Sequence, residues 1–211
     1  MRWAPIACAS IVFVATNAIA AGEDGSFGRL EGDVTFVGGV AGGVVADSGR
    51  GLGHVELRAR YLQAAGIFFA YEEADALSAA TDHGVLRRAF LGGVEFRPLF
   101  PVRFLRHAEQ GRAFGNLVLD SLGLDLGPVF SVREGMSTSR PGLYAGLGVE
   151  IPVGSEETGL WVRLSTTLRW SPERLDGDVD PGGRSVVFLF GLAWHQVAAT
   201  HVVDAGDEAP K

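Results

Sequence analysis

Between His54 and Leu62 the chain alternates with a period of two. Glu56, Arg58 and Arg60 take the even positions, and Val55, Leu57, Ala59 and Tyr61 the odd ones. Successive side chains of a β-strand point to opposite faces, so an extended chain sorts this run into one ionic and one apolar face, whereas a helix would mix them. Leu160–Trp170 repeats the pattern, with Val162, Leu164, Leu168 and Trp170 set against Arg163, Ser165, Thr167 and Arg169. A chain written this way folds around long amphipathic strands.

Six further segments keep the same period: Val34–Ala46, Ile67–Glu73, Val85–Pro98, Leu117–Val129, Leu143–Val153 and Val186–Gln196. Together they predict eight strands. The connections Asp47–Gly53, Ala74–Gly84, Arg133–Gly142 and Ser171–Arg184 are polar and long, and they follow the odd-numbered strands. Gln63–Gly66 and Gly154–Gly159, between them, are short. Long loops on one side and tight turns on the other describe an antiparallel meander crossing a layer. Leu99–Asn116 breaks the rule by being long where a short turn is expected. Its Phe100, Val102, Phe104 and Leu105, interleaved with Arg103, Arg106 and Arg112, fit either a short interfacial segment or a surface loop.

The N-terminus reads as a secretory leader. Met1-Arg2 is followed by an uncharged, mostly apolar stretch that ends in Ala18-Ile19-Ala20 before Glu23-Asp24. The expected organisation is a signal peptide over 1–20, a periplasmic lead over 21–30, a barrel over 31–200 and a polar tail over 201–211. Cys8, the only cysteine, lies in the leader, which excludes a disulfide framework and a multi-cysteine zinc site in the exported chain. A net charge of −7 argues against nucleic acid as a partner.

Eight such strands close most simply into an up-and-down barrel, which has two possible facings. A soluble, lipocalin-like barrel hides its apolar face, whereas an outer-membrane barrel turns that face to lipid and fills its lumen with polar groups. The second fits better. The polar face carries Gly, Ser, Thr and balanced Arg and Glu, and aromatics such as Tyr61, Phe96, Trp170 and Trp194 sit on the apolar face near strand ends. In this pattern the chain resembles the small eight-stranded outer-membrane barrels of Gram-negative bacteria, the class of the OmpA transmembrane domain. The resemblance implies an all-β transmembrane barrel in the outer membrane, with membrane lipid and, during insertion, the barrel-assembly machinery as partners. Such barrels often end on an aromatic last strand. Gly191-Leu192-Ala193-Trp194 partly matches, although Val197–Lys211 follow it here.

On this facing the lumen receives Glu56, Glu72, Glu95, Asp125 and Glu150 with Arg58, Arg60, Arg97, Arg163 and Arg169, and Arg87 is a further candidate. In a lumen wide enough only for side chains these charges must pair, because an unpaired buried ion costs several kcal/mol. Arg163 is expected to find its acid at Glu150 or nearby, and His195 could meet a carboxylate such as Glu56 across the lumen. Gly38, Gly39, Gly42 and Gly43 would allow tight curvature and lumen packing. Nucleophile-elbow, zincin and P-loop motifs are absent. Asp176-Gly177-Asp178-Val179-Asp180 begins like a calcium loop but continues with Pro181, and has Val187 where the closing Glu belongs. No catalytic, cofactor or metal site is assigned. The expectation is a non-enzymatic outer-membrane barrel with a structural or surface-interaction role and a salt-bridged lumen. The alternatives are a lipid-modifying barrel enzyme, a narrow arginine-lined pore and a soluble ligand-binding barrel.

Overall fold

A computed structural model describes residues 33–74, 86–105, 113–133, 136–137, 140–154, 157–177 and 184–199. The expected signal peptide, lead and polar tail lie outside these residues, as do most of the Ala74–Gly84 loop and the stretch 178–183 that holds most of the calcium-like motif.

Eight long strands form the body: β1 (Asp33–Val45), β2 (Arg50–Tyr61), β3 (Ala65–Ala74), β4 (Leu86–Phe96), β5 (Gly123–Arg133), β7 (Gly142–Pro152), β8 (Gly159–Trp170) and β9 (Arg184–Ala199). A two-residue strand, β6 (Met136–Ser137), folds back on the end of β5. Each long strand pairs antiparallel with its neighbours in sequence, β4 with β5 and β5 with β7 included. The ring is sealed by β1 against β9, in unbroken register from Asp33↔Ala199 to Val45↔Val187. The fold is therefore a closed, eight-stranded antiparallel barrel, as the alternation predicts.

The facing also follows that alternation. Phe36, Leu57, Ile67, Phe69, Val94 and Phe190 stand 47–64% exposed on the outside. Their immediate neighbours Val37, Arg58, Phe68 and Glu95 are at most 5% exposed inside. Water-soluble folds bury most of their large apolar residues, whereas this chain buries its charges and exposes its hydrocarbon.

Three elements differ from the sequence expectation. The connection after β4 is two helices, α1 (Leu99–Leu105) and α2 (Ala113–Asp120). Residues 117–120, read as the start of the fifth strand, belong to α2, so β5 begins only at Gly123. The alternating leucines Leu117 and Leu119 satisfy a strand pattern, but Asn116 and Asp120, one helical turn apart, both bond Arg103 of α1 and hold the turn helical. The second strand starts at Arg50 rather than His54, which leaves a tight turn after β1 in place of the expected seven-residue loop. A further short helix, α3 (Pro172–Leu175), follows β8.

Two close contacts depend on glycine. A Cβ on Gly127 would lie 2.0 Å from the carbonyl oxygen of Gly92, and one on Gly93 would lie 2.1 Å from that of Leu126. Only residues without a side chain let β4 and β5 approach this closely. At the end of the barrel where β1 begins and β9 ends, the turn from β2 to β3 places Leu62 and Gln63 in the left-handed region, each at φ 51°. Gln63 is tied down in compensation. Its amide nitrogen donates to Thr35 Oγ1 at 2.8 Å, and its carbonyl accepts from Arg97 Nη1 at 3.2 Å.

Candidate functional site: the barrel lumen

The strands place Glu56, Arg58, Arg60, Glu72, Glu95, Arg97, Asp125, Glu150, Arg163 and Arg169 inside the barrel, none more than 7% exposed. A water-filled passage would leave such long side chains wetted. The side chain of Arg87 lies outside the described residues.

The contacts begin within strands. Glu56 and Arg58, two apart on β2, share a face and bond at 2.7 Å, and Glu95 accepts at 3.1 Å from Nε of Arg97, just past the end of β4. Register adds cross-strand pairs: Glu150 lies opposite Arg163, which it binds, and His54 opposite Glu72, which its Nδ1 meets at 2.8 Å. The remainder cross the lumen. Both terminal nitrogens of Arg58 donate to Asp125, each at 2.9 Å, and Arg60 donates to Glu95 and to Glu150 at 2.8 and 2.7 Å. Arg163 also reaches Glu56 and Asp125, both at 3.2 Å, and Arg169 reaches Glu72 at 2.7 Å.

These contacts form one connected network. Glu150 is its hub, facing Arg60, Arg97, Arg163 and His195. Its backbone nitrogen and oxygen are both bonded by Ser121 Oγ just past α2, which fixes β7 where β5 has not yet begun. Five carboxylates face five guanidinium groups, so the formal charges cancel. Planar guanidinium forks suit this role because each satisfies several carboxylate oxygens at once.

Arg163 does pair with Glu150, and with two further acids. His195 does not meet Glu56: its Nε2 faces Glu150 Oε2 at 3.3 Å, and its ring stacks on Trp161 with centroids 4.4 Å apart. His54 takes the place near Glu56 instead, on the same strand at 3.4 Å. The remaining histidines, His83, His107 and His201, lie outside the described residues. Asp176 is described and pairs with Arg140 at the surface, at 2.8 Å.

The lumen also has an apolar part, which alternation alone does not separate from the charges. Phe68, Ala70, Ala89, Leu91, Val129 and Tyr144 form one buried cluster, and Leu52, Val187 and Leu189 another. Phe68 also lies under Arg58, whose guanidinium carbon is 5.1 Å from the ring centroid. These positions share the inward parity of the charges, so the alternation itself was the available signal. A concavity of about 560 Å³ runs along the wall of β1, β9, β8 and β7, lined by outward Leu147, Leu164, Phe188 and Phe190 and by inward Gly43 and Leu189. Among the described residues no cluster of histidine, cysteine and acids is arranged to hold a metal ion.

No protein-family model matches the chain, and no curated protein matches it. Solved structures do resemble it. Neisserial surface protein A is similar over 78% of this chain and 96% of its own, at 10% identity and a TM-score of 0.40. Ail, the attachment invasion locus protein of Yersinia pestis, is similar over 79% of this chain and 100% of its own, at 12% identity and a TM-score of 0.39. The same protein in complex with the heparin analogue sucrose octasulfate gives 13% identity and a TM-score of 0.38. Strand pairing and facing carry the conclusion independently: the chain has the architecture of the small eight-stranded outer-membrane barrels, with an apolar exterior and an ionic interior.

Proposed function

We propose that the chain sits in the outer membrane of a Gram-negative cell as a closed barrel with a structural or surface-interaction role. The observation that carries this reading is the inversion of the fold, with a charge-neutral network packed inside and bare hydrocarbon outside. An arginine-lined pore would need room for water and an excess of one charge, and the packed, balanced lumen supports a plug instead. A soluble ligand-binding barrel would need the opposite facing. With an even number of strands the termini face the periplasm, and the tight turn after β1 together with Ala74–Gly84, Arg133–Gly142 and Ser171–Arg184 faces outward, where a surface partner would be met. Membrane lipid surrounds the barrel, and the barrel-assembly machinery inserts it.

Fractionation of expressing cells tests the reading. The chain should pellet with outer membranes and enter solution only with detergent, and the purified barrel should leave planar bilayers electrically silent. Recovery in the aqueous fraction without detergent would overturn the membrane placement. Steady single-channel currents would overturn the plugged lumen.

A further inference from the structure

The helices between β4 and β5 have their polarity reversed. On α2, Asn116 and Asp120 are buried at 7 and 6% exposure beside Leu117, and they accept hydrogen bonds from Arg103 of α1. Phe114, Gly115, Val118 and Leu119, spaced i, i+1, i+4 and i+5, share the opposite side of the helix. Phe114 is 50% exposed and Leu119 38%, and Val102 of α1 is 48% exposed. A short helix in water turns its polar side outward. This one does the reverse, and spends its polar groups on holding α1 and α2 together.

The place of the hairpin in the fold says what covers that face. It leaves the barrel one turn after Phe96 and rejoins it just before Leu124, and these two are register partners. Both stand on the outside of the barrel, at 49 and 47% exposure. The hairpin is thus attached at the edge of the apolar belt of β4 and β5, at the end of the barrel where β1 begins and β9 ends, with Phe114, Leu119 and Val102 left uncovered beside that edge.

We infer that α1 and α2 form an in-plane membrane anchor: the hairpin lies in the interface of the periplasmic leaflet, with Phe114, Leu119 and Val102 among the upper acyl carbons. The inference rests on the transmembrane reading above and adds a second mode of lipid contact to it. Interfacial helices of this kind sit about 5–10 Å into the boundary between headgroups and chains. Here the hairpin fixes the depth of the barrel on the side of β4 and β5.

Site-directed fluorescence tests it on the full barrel. With Cys8 replaced by serine, single variants Phe114→Cys, Leu119→Cys, Phe69→Cys and Ser48→Cys are labelled with an environment-sensitive dye. Each is refolded into phosphatidylethanolamine–phosphatidylglycerol vesicles. Phe69 marks the middle of the outer belt, and Ser48 the exposed turn after β1. Labels at 114 and 119 should be quenched by lipids carrying shallow nitroxides, at about 5–10 Å depth, and shielded from aqueous iodide. Iodide quenching at both as strong as at 48, with 69 still lipid-quenched, would overturn the anchor and leave the transmembrane barrel standing. Shielding that disappears as lipid is added at constant protein would assign the face to a second copy of the chain and overturn the inference. A label at 69 that no lipid quencher reaches would overturn the transmembrane reading and the anchor with it.

Discussion

Replacing Arg163 by leucine puts the lumen network to its sharpest test. Arg163 contacts Glu56, Asp125 and Glu150. Its loss leaves five buried carboxylates with four guanidinium groups, an uncompensated charge in a site that water does not reach. Breaking a buried pair from one side costs about 3–5 kcal/mol, and Arg163→Leu should fall in that range. Of the three acids, Asp125 has the fewest alternatives, since only Arg58 remains to it. Arg163→Leu with Asp125→Asn restores the balance, and Arg58 still keeps Glu56 and Glu95. The double variant should therefore recover at least half of the loss, roughly 2 kcal/mol. Leu164→Arg, one residue along on the outer face, should cost about 2–4 kcal/mol if that position lies near the bilayer midplane, and Asp125→Asn should not rescue it. Denaturant unfolding of the barrel in lipid vesicles, followed by tryptophan fluorescence, measures all four. Arg163→Leu within about 0.5 kcal/mol of the parent, the range of ordinary surface changes, would refute the argument.

Two further outcomes follow from backbone geometry. Gly127→Ala should destabilise by about 1–3 kcal/mol, because the new methyl runs into the Gly92 carbonyl and the strands must part; a neutral result in the same unfolding assay would mean that the close approach is not required. Gln63→Ala and Gln63→Gly lose the same two hydrogen bonds, but glycine relieves the left-handed backbone, so glycine should be the milder change by roughly 1 kcal/mol. The reverse order would show that strain does not matter at that turn.

The alternation made the barrel and its facing legible because period-two patterning fixes which side chains share a face and needs no tertiary information. It could not supply the register. Parity puts His54 on the face of Glu56, Arg58 and Arg60 but does not match it with Glu72, and it leaves open which carboxylate His195 meets. Which partner a long arginine reaches across a lumen depends on strand tilt and stagger, which no single strand encodes. The stretch from Leu117 onward failed for another reason: a short apolar run satisfies both periods, and Arg103, which decides for the helix, sits 13 residues before Asn116 and 17 before Asp120.

The sealing of β1 on β9 bears on how such a barrel comes together. Every long strand from β2 to β9 sends at least one ionisable side chain to the network or, for Arg97, supports one just beyond its end. The inward side of β1 from Thr35 to Val45 reads Thr35, Val37, Gly39, Ala41, Gly43 and Val45, with no ion at all. An open sheet in hydrocarbon would leave arginines and glutamates stranded until the opposite wall arrived, so partly inserted intermediates are heavily penalised and assembly is cooperative. The edges that meet come from opposite ends of the chain, and so with the greatest entropic delay, and one of them has no charge from Thr35 to Val45. From Thr35 to Val45 the seam with β9 closes through backbone pairing, with no ion of β1 to be matched as it shuts.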